Sequence, residues 1–354
     1  MGRTIENYLK EMGIGEAQGF ENMTVFPLTR PHNGGPEYIT LREALEKGVF
    51  KVTEVSEGGS VPELRVENKG DVAVLLLDGE ELAGAKQNRI INTTILVGPK
   101  SATKIPVSCT EQGRWSYESR EFAESGHQMD RKMRGANMRA VHASLAVSNE
   151  FRSDQGMVWN EVEKLSQEAA VPSMTGAMKD VYDAKGAELD DYLKSFKLVD
   201  GQKGLLVVLD GRAVGFDFVS RPGAFGQLFP KLAKSYAMEA MLSAERRKRR
   251  EGAKKTRIAG QGPEDKKGAV EKRGSTAISV DKARSFLTAA AALDEQKSES
   301  VGLGSYYRYA GRGMVGSALA VEEAVVHMAF FGVDEGEQAG NIARMSSRRG
   351  FRTI

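Results

Sequence analysis

One cysteine, two tryptophans and four histidines are all that the 354 residues hold of these types. The single Cys109 excludes an internal disulfide and any zinc site built from several thiolates, and it fits a reducing cytoplasm. His32, His127, His142 and His327 stand far apart and no HExxH pair occurs, so no metal is assigned and the sequence names no cofactor. Aromatics are scarce at 7%. No run approaches the roughly 18 apolar residues that span a bilayer, and the first twenty residues lack a signal-like apolar core. The expectation is a soluble cytoplasmic protein with no membrane partner. Fifty basic against 48 acidic residues leave a net charge of +2, so no strong field draws the whole molecule toward nucleic acid. The P-loop, the GxSxG elbow and the dinucleotide GxGxxG are missing as well. The glycines of GLGSYYRYAGRGMVG lack the lysine or the following helix that such loops need.

What the chain does have is 39 glycines and 40% hydrophobic residues, the mark of many turns and closely approaching backbones. Short β-branched runs, FKVTEVSE, ELRVENKG, VAVLLL and KIPVSCTEQGRW, follow one another from about 50 to 115. MVWNEVEKLSQEAA and SMTGAMKDVYDAKGAELDDYLKSF then repeat apolar positions at helical spacing. This pattern reads as an α+β fold with an antiparallel, β-rich core, sandwich-like or of paired hairpin sheets, and a helical insertion. The expected division is an N-terminal segment 1–20, a β-rich lobe 21–130, a helical insertion 131–200, a second hairpin and helix lobe 201–331, and a tail 332–354.

Three stretches look like hairpins. LLLDGEELAGA and VVLDGRAVGF each place Asp-Gly after an apolar strand, as a two-residue type I′ turn requires, and GSALAVEEAVVHMAFF turns at Glu322-Glu323. FPKLAKSYAMEA is expected to be a helix with Phe229, Leu232 and Tyr236 toward the sheet. The basic segment 245–275 interrupts the second lobe and is read as a solvated loop or helix extension. No aromatic interleaves its charges to stack on bases, so nucleic acid is an unfavoured partner.

The densest polar chemistry lies in residues 80 to 89. Glu80, Glu81, Lys86, Gln87, Asn88 and Arg89 crowd the return from Asp78-Gly79, with the small residues Ala83, Gly84 and Ala85 among them. An unbroken strand would sort Glu81, Gln87 and Arg89 to one face and Glu80, Lys86 and Asn88 to the other, and a bulge at Gly84 would change that sorting. Such groups suit phosphate, ribose or an amide-bearing base, and they equally suit a saturated polar lattice. A second patch, PVSCTEQGRW, offers Glu111 as an acid or base tuned toward neutrality, and Arg114 with Trp115 to engage phosphate or a planar ring. Asp217 is expected to point away from the face shared by Val214, Phe216 and Phe218, toward solvent or a ligand. His327 reads as a core histidine and as the first candidate for a proton transfer.

LLLDGEELAGAKQNR with PVSCTEQGRW, then DGRAVGFDFV, FPKLAKSYAMEA and VVHMAFF, together resemble the ARPP-1 domain family across residues 20 to 331. These are the ADP-ribosylglycohydrolase and rhodanese-phosphatase-associated proteins. The resemblance implies the neighbourhood of ADP-ribose, NAD or nucleotide metabolism and, should the protein be an enzyme, a hydrolase. It carries over no catalytic residues. The sequence-based candidates are therefore Glu81, Glu111 and His327 for acid–base work, and Lys86, Gln87, Asn88, Arg89, Arg114, Trp115 and Asp217 for a nucleotide-derived small molecule. The competing reading is a noncatalytic homo-oligomer or partner-binding protein whose charged strand pairs between subunits.

Overall fold

GLLVVL, residues 204–209, has no polar side chain to turn toward water, and in the computed structural model its strand Gln202–Leu209 is buried along its whole length. The described residues are 5–31, 34–259, 280–311 and 313–333, with backbone alone for 252–259. Alternate side chains of this strand serve two cores: Leu205, Val207 and Leu209 one, Leu206 and Val208 the other. It lies inside a nine-stranded antiparallel sheet. The order is Gly13–Ile14, Met23–Thr29, Gln202–Leu209, Arg212–Val219, Ala324–Gly332, Met314–Val321, Ser305–Gly311 and Asp294–Glu299, with Gln18–Phe20 also on Met23–Thr29. Met23–Thr29 thus pairs with a strand about 180 residues further along the chain.

Helix Pro222–Ala259 covers one face of this sheet, burying Phe229, Leu232 and Tyr236 as expected from their spacing. Helices Glu6–Lys10 and Val280–Ala291 cover the other. Residues 245–259 of the basic segment continue the long helix, while 260–275, like residues 334–354 of the tail, lie outside the described residues. Four helices, Arg131–Ser148, Gln155–Ala169, Met178–Ala184 and Gly186–Ser195, fill the expected helical stretch.

A second, six-stranded sheet runs Phe122–Gln128, Glu80–Gly84, Arg89–Ile91, Ser101–Cys109, Glu63–Asn68 and Phe50–Glu54. It curls until its edge strands meet, with Lys51 Nζ at 2.5 Å from Glu121 Oε1. Its concave side holds a separate apolar core that includes Val52, Leu64, Val66, Leu82, Ile91, Ile105 and Val107. A three-stranded sheet, Ile95–Val97, Ala73–Leu76 and Tyr38–Thr40, adds the parallel pair of the fold. The whole is α+β with an antiparallel β-rich core.

Two of the three expected hairpins form. Asp210 and Gly211 have φ of 47° and 83°, the two left-handed residues of a type I′ turn, and Glu322 at φ 55° turns the other. Asp78-Gly79 is a correction. Ala73–Leu76 pairs in the three-stranded sheet and Glu80–Gly84 in the curled one, so the dipeptide carries the chain from one sheet to the other. Glu80 N–H still closes a turn on Leu77 O at 3.3 Å, but Gly79 N–H donates to Ile91 O at 2.7 Å and Gly79 O accepts from Met129 N–H at 2.9 Å, which ties the turn to two other segments. The likeness between the two Asp-Gly stretches is local and does not extend to their pairing.

Candidate functional site

The six polar residues of 80 to 89 go to separate destinations. Gly84 and Ala85 have φ of 115° and 41°, which ends the strand and reverses the sorting that follows. Arg89 pairs with Leu82 and Cys109 and enters the curled sheet, whereas Glu81, opposite Ile90, faces the other way. The expected shared face of Glu81 and Arg89 is therefore corrected by the bulge. Lys86 alone of the six keeps substantial exposure.

The mouth of the curled sheet gathers one group. Cys109 follows Ile105 and Val107 on the inward face, and Glu54 follows Phe50 and Val52 in the same way, so two apolar strands each end in a polar atom at one rim. Arg89, fully buried, donates from Nη1 to Gln87 Oε1 at 2.5 Å and to Cys109 Sγ. Its Nη2 stands 3.9 Å from Glu54 Oε1, and Nε and Nη2 have no hydrogen-bond partner among the described residues. Trp115, half exposed, lies over this floor with its ring centroid 5.5 Å from the Arg89 guanidinium and 5.4 Å from Lys86 Nζ. Tyr117, also half exposed, holds Lys86 at 5.0 Å. Lys86 Nζ donates to the carbonyls of Glu57 and Gly58 at 2.7 and 2.8 Å, fixing the loop after Glu54 across the opening. Burial pushes the Cys109 thiol up to about 11, which keeps it a packing and accepting group rather than a thiolate nucleophile.

Asn88, Glu111 and Arg114 form a lattice beside this mouth. Arg114 Nη1 donates to Ala85 O at 2.8 Å and Ser116 O at 3.1 Å, and Nη2 to Asn88 Oδ1 at 3.1 Å and Glu111 Oε2 at 2.6 Å. Arg114 is thus spent on the loop rather than stacked with Trp115. Burial would raise the Glu111 pKa, but hydrogen bonds from Arg114, the Asn88 N–H and Thr175 outweigh it and hold the carboxyl below its ordinary value. The expected tuning of Glu111 toward neutrality is reversed.

Burial does raise the Glu81 carboxyl, up to about 7. Strand Phe122–Gln128 pairs Glu124 with Leu82 and Gln128 with Glu80, so residues 125 to 127 bulge opposite Glu81 alone. Thr110 Oγ1 donates to Glu81 Oε1 at 2.8 Å, and Ser125 also bonds the carboxyl. Glu80 goes instead to Lys231, which it shares with Glu124 at 3.0 Å.

Asp217 and His327 lie in the seam between the sheets and the helices. The fully buried Arg134 donates to Asp217 at 2.6 and 3.0 Å and to Asp78 at 3.2 Å from both Nε and Nη2. Tyr236 OH donates to Asp217 Oδ2 at 2.9 Å, and His327 shares a 2.9 Å bond with Thr94 and stands 3.6 Å from Asp217. Burial alone would raise the Asp217 pKa, but Arg134 and His327 hold it well below the usual carboxylate range. The expected solvated Asp217 is overturned: it does point away from Phe216 and Phe218, but helices cover that face of the sheet as well, and both carboxylate oxygens are already paired inside the protein. His327 is a core histidine of this network.

Of the residues singled out from sequence, Lys86, Gln87, Arg89 and Trp115 converge, Asn88, Glu111 and Arg114 brace their loop, and Glu81, Asp217 and His327 lie elsewhere. Glu54 and Tyr117 escaped notice. The two-residue alternation of Phe50, Val52 and Glu54 was the available signal, since it sets a carboxylate on the apolar face of a strand. Among the described residues no three His, Cys, Asp or Glu side chains are grouped to hold a metal ion, and no helix is long and apolar enough to cross a membrane.

These features define an α+β protein in which a curled sheet, packed against helices beside a larger sheet, presents a polar floor beneath an aromatic rim. The chain belongs to the ARPP-1 family, the ARG and Rhodanese-Phosphatase-superfamily-associated Protein domain, which matches residues 11–331. No curated protein and no solved structure matches it.

Proposed function

We propose that this protein binds an ADP-ribose-like or other nucleotide-derived ligand in the cytoplasm, at the mouth of the curled sheet. The observation that carries the reading is the half-exposed Trp115 ring above a fully buried Arg89 whose Nε and Nη2 lack hydrogen-bond partners among the described residues. A ring of this kind stacks a planar base, and a guanidinium with free donors takes oxygen acceptors such as phosphate or sugar. Lys86, held at present by loop carbonyls, adds a charge that phosphate would attract. The family's description, which joins it to ARG and rhodanese-phosphatase proteins, supports the same neighbourhood. Glu81, Glu111 and His327 all point away from this mouth or are bound into its loop, so binding rather than hydrolysis is the activity proposed.

Isothermal titration of ADP-ribose, NAD and AMP into the wild-type protein and into Trp115→Ala and Lys86→Ala tests it. At least one ligand should bind the wild type, and Trp115→Ala should weaken it by about 1–3 kcal/mol, the usual worth of a base on an aromatic ring. Absence of binding to the folded wild type, or equal binding by both folded variants, overturns the proposal.

A further inference from the structure

Glu54 has a side chain only 4% exposed, yet neither of its carboxylate oxygens has a hydrogen-bond partner among the described residues. The nearest cation is Arg89, itself with two unpaired nitrogens, and the closest approach is 3.9 Å. A carboxylate and a guanidinium that serve only to neutralise each other close to about 2.7–2.9 Å in a fork. These two stand apart. Their complementary deficits are specific: a carboxylate only accepts and a guanidinium only donates, so the group that completes both must donate and accept at once. A hydroxyl does that, and two neighbouring hydroxyls match the two oxygens of Glu54.

Building on the proposed nucleotide site, we infer that Glu54 is the acceptor for a vicinal diol of the ligand, so the mouth takes ribonucleotides and rejects their 2′-deoxy counterparts. In that arrangement each hydroxyl donates to a Glu54 oxygen and accepts from Arg89 Nε or Nη2. The base then reaches Trp115, whose ring lies 5.5 Å from the same guanidinium. The loop carrying Gly58 and Gly59 is the access route. A Cβ built on Gly59 would come within 3.5 Å of Glu54 Oε2, 3.4 Å of Trp115 and 3.3 Å of Lys86, so this backbone sits directly over the carboxylate. Lys86 is its latch, and a phosphate that drew Lys86 away from the Glu57 and Gly58 carbonyls would free the loop as the ligand entered. Gly59, at φ +76°, occupies a conformation that a side chain would strain.

The test compares AMP with 2′-deoxy-AMP, and ADP-ribose with its 2′-deoxy analogue, by titration into the wild type, Glu54→Gln and Lys86→Ala. The wild type should prefer each ribo form at least about tenfold, since a buried acceptor left without its hydroxyl is costly. Glu54→Gln should lose affinity for the ribo form and erase the preference, whereas Lys86→Ala should weaken both forms and keep the ratio. Equal binding of ribo and deoxy forms by the wild type overturns the role of Glu54 and leaves the nucleotide site standing. No binding of any of the four to the folded wild type overturns both. If Glu54→Gln fails to fold, the wild-type ratio decides by itself.

Discussion

Replacing Glu81 by glutamine should make the protein more stable at neutral and alkaline pH and leave it little changed near pH 4.5. Glu81 is fully buried, and burial raises its carboxyl pKa from 4.5 to about 7 against hydrogen bonds from Thr110 and Ser125. Between those two values the folded protein keeps a proton that the unfolded chain has lost. Stability therefore falls as pH rises through this window, by up to about 3 kcal/mol for 2.5 pH units at 1.36 kcal/mol each. Glutamine keeps the size of the side chain and an oxygen for Thr110, and it never ionises. The measurement is urea unfolding of both proteins at pH 5, 6, 7 and 8, read as the difference in unfolding free energy. Taking the difference removes other titrating groups, among them Asp130, which burial raises to about 6 and which acts in the same direction. The difference should grow toward about 3 kcal/mol in favour of Glu81→Gln by pH 8. A difference that stays constant from pH 5 to 8 would refute a titrating Glu81 and, with it, the claim that burial outweighs the hydrogen bonds of Thr110 and Ser125 and the charge of Lys179.

Asp217→Ala should cost about 3–5 kcal/mol in denaturant unfolding, because it leaves Arg134 charged and half-paired in a site with no access to water. The Asp217 carboxyl, held below its ordinary pKa, also contributes stability above the unfolded value of 3.8 that is lost as pH falls, so the wild type should lose more stability in acid than the variant does. Gly316→Ala should lower the melting temperature through an overpacking cost of about 1–3 kcal/mol, since its Cβ would fall 2.1 Å from Phe330 Cδ1, a ring stacked on Phe216. An unchanged melting temperature would mean that Phe330 moves freely.

Much of this architecture is visible along the chain because it is decided locally. Asp210-Gly211 turns where two left-handed residues are needed, Glu322-Glu323 turns between two apolar runs, and the spacing of Phe229, Leu232 and Tyr236 sets the buried stripe of the long helix. The polar density of residues 80 to 89 and the Arg114-Trp115 pair likewise mark the region where the candidate site lies. Their division of labour does not follow from order along the chain. Gly84 and Ala85 break the strand period, so Glu81 and Arg89 end on opposite faces, whereas Asp217 keeps the face its spacing gives it and is buried because helices cover that face too. Glu54 shows why the rest stayed hidden: its meaning depends on Arg89 and Trp115, 35 and 61 positions away, and only the curl of the sheet brings them together. Asp78-Gly79 carries the same lesson, because a hairpin dipeptide becomes a crossover once Arg134, Ile91 and Met129 claim its side chain and backbone. Sequence by itself determined the composition of the site and the periodicities that build each element. Tertiary structure decided which charges are paired in the interior and which are left without a close partner, since burial and pairing depend on contacts between segments that no local pattern encodes.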